Sequence, residues 1–409
     1  MQVKNETLLL FILAAVQFTN IVDFMIMMPM GDILQRALEI TPFKFSALVS
    51  AYPVAAFVSS LFGVFFLDKF DRKKALLFAY SGFILGTLSS AVVPNTASPE
   101  VNYSLFIGTR LLTGLFGGIL GALVMSIVGD VIPLERRGRA MGLVATAFSL
   151  AAILGVPLGL ALVNAFDGNW HIPFYMVSSL GTVVIPLIIF GVPSIREHLD
   201  RQIQKPHPFE TIRVAAKSKN QQLALLFVLM LVIGHFSIIP FITPYMINNV
   251  GLTQDQIPFI YLIGGACTVI SSPLIGRMVD RFGRKRMFTI MASISMVPVL
   301  LITNLWPVSL WVVFTITGSF FIAVSGRMIP ANTLITAVVR PENRGGFMSL
   351  NSSFTSLATG IASMIGGSIV VQAGPGEPLE GYMWVGVIGV GFTMVTVVLA
   401  RWLKETNTV

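Results

Sequence analysis

Four residues carry charge or a titratable proton where their neighbours are apolar: Asp23, Arg110, His235 and Arg327. Each lies well inside a run of aliphatic and aromatic residues. A charge at the centre of a membrane helix costs roughly 2.5–3.5 kcal/mol on insertion scales, so each is a candidate for function. An aspartate and an arginine in an apolar medium can pair, and a proton arriving on the carboxylate weakens that pair. A histidine titrates near neutral pH; it can bind a ligand, relay a proton, or simply pack with one hydrogen bond. An arginine without a carboxylate can hold an anionic or zwitterionic group, or cap carbonyls at a helix end. Gln17, Asn20 and Asn332 are uncharged polar residues on similar runs and are candidates to line the same cavity.

The surroundings of these residues decide what solvent they see. Hydrophobic residues make up 55% of the 409, charged residues only 11%. A soluble domain carries roughly 25% charged residues, so the bilayer must be the main solvent. That composition excludes a cytosolic enzyme, a secreted domain and a disordered chain. The excess of 27 Lys and Arg over 19 Asp and Glu then reads as cytoplasmic loop charge, with no nucleic-acid partner implied. The single Cys267 allows neither a disulfide framework nor a cysteine metal site. No cleavable leader is evident, because the first apolar run is too long for one.

About 20 apolar residues cross a bilayer core of about 30 Å. Twelve runs meet that length, near 7–31, 44–67, 75–94, 103–130, 138–164, 172–192, 222–247, 256–276, 287–303, 308–338, 347–371 and 380–403. The expected fold is an all-α integral membrane protein with two six-helix bundles: residues 1–192, a cytoplasmic linker over 193–221, and residues 222–409. The linker is basic and forms either a short interfacial helix or a solvated connection. Alternate loops are rich in Lys and Arg, while the opposite ones hold only Arg36 and Lys44. This asymmetry puts both termini in the cytoplasm. The first helix runs outward and the fourth inward. Asp23 is then ~24 Å from the start of its helix and Arg110 ~11 Å from the outer end of its own. Both fall in the outer half at similar depth, which predicts a direct or water-bridged pair. Arg327 lies towards the cytoplasmic half of the tenth span.

The two halves repeat. Leu67-Asp68-Lys69-Phe70-Asp71-Arg72-Lys73 aligns with Val279-Asp280-Arg281-Phe282-Gly283-Arg284-Lys285 at an offset of 212. Glu135-Arg136-Arg137-Gly138 aligns with Glu342-Asn343-Arg344-Gly345 at an offset of 207. The offset of 212 also maps Asp23 onto His235. Two parallel six-span repeats with a site between them are the architecture of an alternating-access transporter.

The stretch Gly276-x-x-x-Asp280-Arg281-x-Gly283-Arg284-Lys285 resembles the loop signature of the major facilitator superfamily, and the resemblance covers essentially the whole chain. The first-half copy is degenerate, with Asp71 in place of the glycine. Arg110-x-x-x-Gly114-x-x-Gly117-Gly118 is similar to the helix-4 motif of that superfamily. Gly155-Val-Pro157-Leu-Gly159 resembles its antiporter motif, with the proline displaced by one. These point to the twelve-span drug:proton antiporter branch. The resemblance implies that Asp23 carries the proton and that Arg110 takes part in its transfer.

Other residues receive roles by position. Asp68 and Asp280, with Arg72, Arg281 and Arg284 and the glycines Gly276 and Gly283, form either a gating latch at the cytoplasmic ends or a charge cluster that only sets topology. Gly114 and Gly118 form a small-residue packing face. Gly155 and Pro157 bend or tighten the fifth span. Met25, Met27, Met28 and Met30 make the first span soft enough for a promiscuous pocket, or simply pack. Trp170 and His171 are expected as interface anchors.

The expected function is secondary active transport, proton-coupled and outward, of small amphipathic compounds or metabolites across a bacterial inner membrane. An uncoupled facilitator, or a proton-coupled importer of a small anionic or zwitterionic metabolite, is the alternative. No metal-cluster, phosphate-loop or His-Glu-x-x-His pattern supports an enzyme. The expected partners are a small-molecule substrate, protons and lipid, for a monomer with no cofactor beyond the proton gradient.

Overall fold

The computed structural model describes residues 5–66, 69–94, 98–196, 208–340 and 344–406. Its helices are α1 (Glu6–Ile26), α2 (Gly31–Ala37), α3 (Pro42–Phe66), α4 (Arg72–Ala91), α5 (Pro99–Val131), α6 (Leu134–Leu150), α7 (Val156–Ala165), α8 (Ile172–Gly191), α9 (Pro208–Lys217), α10 (Lys219–Phe236), α11 (Ile242–Asn248), α12 (Ile257–Phe282), α13 (Arg284–Thr303), α14 (Leu310–Ala337), α15 (Arg344–Ile369) and α16 (Tyr382–Trp402). One antiparallel hairpin pairs β1 (Val371–Gln372) with β2 (Leu379–Glu380).

Among the described residues, eleven helical stretches are long and apolar enough to span a membrane. The remaining long helix, α15, has 26 residues, so it has the length; Asn351, Ser352, Ser353, Thr355, Ser356, Thr359 and Ser363 make it more polar. The bilayer also explains what lies outside: Phe190 is 87% and Trp311 79% exposed, which water would not tolerate across so many residues.

The chain divides into two compact units. The first contains Met1–Met27 and Ala51–Pro208; the second contains Met28–Ser50 and Phe209–Val409. The first has its own core, with Leu13, Val16, Phe83, Leu123 and Ile188. In the second, Phe227, Leu231, Phe288, Leu334 and Ala362 form another.

Several spans differ in detail from the apolar runs. α1 stops at Ile26, and Met27–Met30 form a turn before α2, so the run 7–31 is a helix plus a corner. Met27, Met28 and Met30 are all buried there. The fifth span is interrupted by a π-helical turn over Ala151–Gly155, where the Val156 N–H reaches back to the Ala151 carbonyl. Pro157 follows immediately and has no N–H to donate, which favours such a local loosening. α10 breaks after Phe236 because Pro240 and Pro244 cannot continue its ladder. The linker contains the ten-residue α9.

Trp170 is not an anchor at the membrane surface. It is 3% exposed, stacked on His171 and packed on Phe106. The exposed tryptophans are Trp306, Trp311, Trp384 and Trp402, all at or near helix ends. The His171 ring bridges the Val93 carbonyl at 2.9 Å and Asn169 Oδ1 at 2.8 Å. Burial pushes its imidazole below the usual histidine value, against the pull of the Val93 carbonyl.

Candidate functional site

The two largest fully buried side chains are both arginines, Arg110 and Arg327. Each belongs to a different unit and stands in a small polar cluster.

In the first unit, the last turn of α1 carries Asp23. Arg110 on α5 donates from Nη1 to Asp23 Oδ2 at 2.9 Å and from Nη2 to the Asp23 carbonyl at 3.3 Å. Thr87 on α4 donates to Oδ1 at 3.1 Å. Both charged side chains are 0% exposed. The guanidinium also lies 5.2 Å from the Tyr52 ring centroid and 5.7 Å from that of Phe174. Such a cage of carboxylate, hydroxyl and ring faces is what a desolvated cation requires. The depth arithmetic therefore selected the right pair. Asn20, one turn earlier on α1, accepts from the Tyr52 hydroxyl and donates to the Gly117 carbonyl at 3.4 Å. Gln17 lies a further turn back; its Oε1 is buried and without a partner among the described residues.

The second unit places Arg327 on α14. Its Nη1 donates to Ser295 Oγ on α13 at 3.1 Å and to Thr393 Oγ1 on α16 at 2.7 Å. Nε and Nη2 have no partner among the described residues. His235 occupies the last turn of α10, immediately before the break; a Cβ on the adjacent Gly234 would lie 3.5 Å from Thr393 Oγ1, to which Arg327 donates. His235 Nδ1 lies 2.8 Å from the Leu231 carbonyl. A carbonyl only accepts, so Nδ1 carries the proton, and a neutral ring leaves Nε2 as an acceptor. Asn332 is not part of this cluster: it is exposed, and five residues further along α14 place it about 140° around the helix from Arg327.

The basic-loop residues are distributed differently. Asp68 lies outside the described residues. Arg72 donates from Nε to Asp130 Oδ2 at 3.0 Å, tying α4 to the end of α5. Asp71 caps α4 through the Lys73 and Lys74 amides, and accepts from Ser194 and, at 3.0 Å, from Arg196. In the second unit Asp280 is exposed and forms no ion pair among the described residues. Arg281 lies over Phe282, and Arg284 pairs with Glu405 at 3.2 Å. Gly283 turns the chain between α12 and α13 at φ +86°, a conformation that favours glycine. A side chain at Gly276 would meet nothing within 4 Å.

Gly114 and Gly118 bring α5 against α3. A Cβ at Gly118 would stand 2.5 Å from the Ala56 backbone, and one at Gly114 would strike the Tyr52 carbonyl. A Cβ at Gly155, in the π turn, would run into the Val22 side chain of α1.

Sequence reasoning missed one cluster altogether. Asp32 on α2, 2% exposed, accepts from Arg36 Nε at 3.0 Å, Asn248 Nδ2 at 2.7 Å and Gln254 Nε2 at 2.8 Å. Arg36 Nη2 in turn donates to Asn248 Oδ1 at 3.0 Å. The Asp-x-x-x-Arg spacing of one helical turn was the available signal. Among the described residues, no group of three or more His, Cys, Asp or Glu is placed to hold a metal ion.

The model of the Major Facilitator Superfamily matches residues 13–237 and again 224–409, and the chain belongs to that superfamily. The MFS-type transporter YbcL of Bacillus subtilis is 24% identical over 97% of this chain and 96% of its own length. Multidrug resistance protein 2 of the same organism is 22% identical, covering 99% and 97%. A probable sugar efflux transporter of Helicobacter pylori is 24% identical over 87% and 86%. Among solved structures, a D-xylose–proton symporter superposes with a TM-score of 0.77 at 15% identity, covering 97% and 98% of the two chains. A bacterial homologue of the human lysosomal transporter Spinster gives 0.71 at 15%, covering 98% and 95%. The fold is thus that of a multi-pass membrane transporter for a small molecule.

Proposed function

We propose that this chain is a proton-coupled secondary transporter that exports small amphipathic compounds or metabolites by alternating access. In this reading it sits in a bacterial inner membrane with both termini in the cytoplasm. The observation that carries it is the Asp23–Arg110 pair, fully buried at the end of α1. A dry ion pair is a poor source of stability, since apolar residues of the same volume often do as well. Its retention is better explained by switching: a proton on Asp23 removes the charge that holds Arg110, and the two states differ in what they bind. Support for the direction comes from relatives named for efflux and multidrug resistance.

The test uses purified protein in liposomes, an internal pH dye, and a panel of lipophilic cations, sugars, amino acids and organic anions. Substrate-dependent proton movement is expected in the parent and should fall about tenfold or more in Asp23→Asn. Losing one partner leaves a buried charge costing roughly 3–5 kcal/mol, so the charge-balanced pair Asp23→Asn with Arg110→Gln is measured beside it. Unchanged proton movement in a folded variant would overturn the coupling role. Substrate flux with no proton movement in the parent would make the protein a facilitator.

A further inference from the structure

The polar clusters of the two units draw on corresponding helices and similar residue types. At the repeat offset of 212 Asp23 corresponds to His235; the other members sit on corresponding helices of the two halves but at different heights along them. Both contain a buried arginine on the fourth helix of their half, a hydroxyl from the third, and a titratable residue from the last turn of the first segment. The difference is the carboxylate. Arg110 has one at 2.9 Å; Arg327 has none among its partners.

A guanidinium remains charged in proteins, so Arg327 cannot escape by losing its proton. Ser295 and Thr393 occupy only Nη1. The two donors left over, Nε and Nη2, are not an arbitrary pair. They lie along one edge of the planar group and point the same way, at the spacing of the two oxygens of a carboxylate. An ammonium is repelled by that fork, and a halide, with a single acceptor atom, does not match its two donors one to one as a carboxylate does. The adjacent break between α10 and α11 is the kind of interrupted helix that lines transporter sites.

We infer that Arg327 binds the carboxylate of the transported molecule side-on through Nε and Nη2, so that the substrate class is small organic carboxylates. The substrate supplies in the second unit the negative charge that Asp23 supplies in the first. His235, whose Nδ1 is engaged by the Leu231 carbonyl, leaves Nε2 for a polar group on the same molecule. Arg327 is fully buried, so a substrate reaches the fork only when the helices around it part. The inference rests on the reading of this chain as a transporter, and it does not need the coupling role of Asp23.

The experiment measures binding to purified full-length protein by thermal shift and calorimetry. Sodium acetate, L-lactate and benzoate are compared with acetamide, lactamide and benzamide, and with sodium chloride at equal ionic strength. At least one carboxylate should stabilise the protein while its amide and chloride do not. Arg327→Gln and Arg327→Lys should both weaken that carboxylate about tenfold or more, because lysine keeps the charge but lacks the fork. Equal stabilisation by chloride, equal binding of the amides, no response to any of the carboxylates, or full affinity in Arg327→Lys would each overturn the assignment. The carboxylate–amide comparison in the parent decides even if a variant fails to fold. Carboxylate binding in a parent protein that moves no protons with its substrate would sink the proposed coupling alone; proton-coupled transport without carboxylate binding would sink only this inference.

Discussion

Arg110 and Arg327 are equally buried and differently satisfied, and only half of that difference can be read from residue types. Spacing along α1 and α5 gave the depth of Asp23 and Arg110, because a helix converts residue count into distance. Thr87, Ser295 and Thr393 were invisible for the opposite reason: hydroxyls are common on membrane helices, where most bond to their own backbone. Asp71 shows how one side chain explains a departure from a motif. Where the second half turns through Gly283, the first half uses Asp71 as a helix cap at φ −52°. Burial drives the Asp71 carboxyl upwards, but bonds from Ser194, Arg196 and the Lys73 and Lys74 amides outweigh it and hold the group below its ordinary value. A carboxyl depressed on folding stabilises fully above the unfolded value of about 3.9, and that stability is lost as pH falls through the folded value. Asp71→Ala should therefore lower stability by about 1 kcal/mol at a constant offset from pH 8 to 5. Thermal melts in detergent should show the gap closing below about pH 4. A gap that widens with acid would refute the assignment.

At the scale of elements, apolar run length located the spans but blurred their ends. Composition could not distinguish α1 from the corner after it, since Met27–Met30 are as apolar as the helix. The π turn in the fifth span was equally hidden, although Pro157 marked its place. Packing of α5 on α3 was legible from glycine spacing and leads to a sharp contrast. Gly118→Val should cost about 1–3 kcal/mol, because the Ala56 backbone cannot yield to a new side chain. Gly121→Ala should be close to neutral, since its nearest neighbour, Gln17 Nε2, would be 3.8 Å away. Comparing the folded yield and melting temperature of the two variants tests the reading. Equal losses would mean that the glycines serve flexibility and not close approach.

For the whole molecule, the duplication was plain from the loop motifs, yet the segment 28–50 belongs to the second unit despite lying in the first half of the sequence. No composition shift marks that exchange; it depends on long-range bonds centred on Asp32. Asp32→Ala would remove the buried acceptor shared by Arg36, Asn248 and Gln254 and should cost about 1–3 kcal/mol. Arg36→Asn removes a half-exposed guanidinium with its bonds to Asp32 and Asn248 and should cost less, about 1 kcal/mol. Chemical denaturation in micelles that ranks these the other way would remove Asp32 from the centre of the network.

The Arg36–Asn248 contact joins residues 212 apart, the same offset that relates the two loop motifs. A position that touches its own repeat counterpart would, in an ancestor made of two identical six-helix chains, have had to recognise itself. Arginine repels arginine. Asparagine carries both a donor and an acceptor and can pair with its own copy. By that logic an identical pair at this position favours asparagine over arginine, and the Arg36–Asn248 contact is one that only two copies free to differ can make.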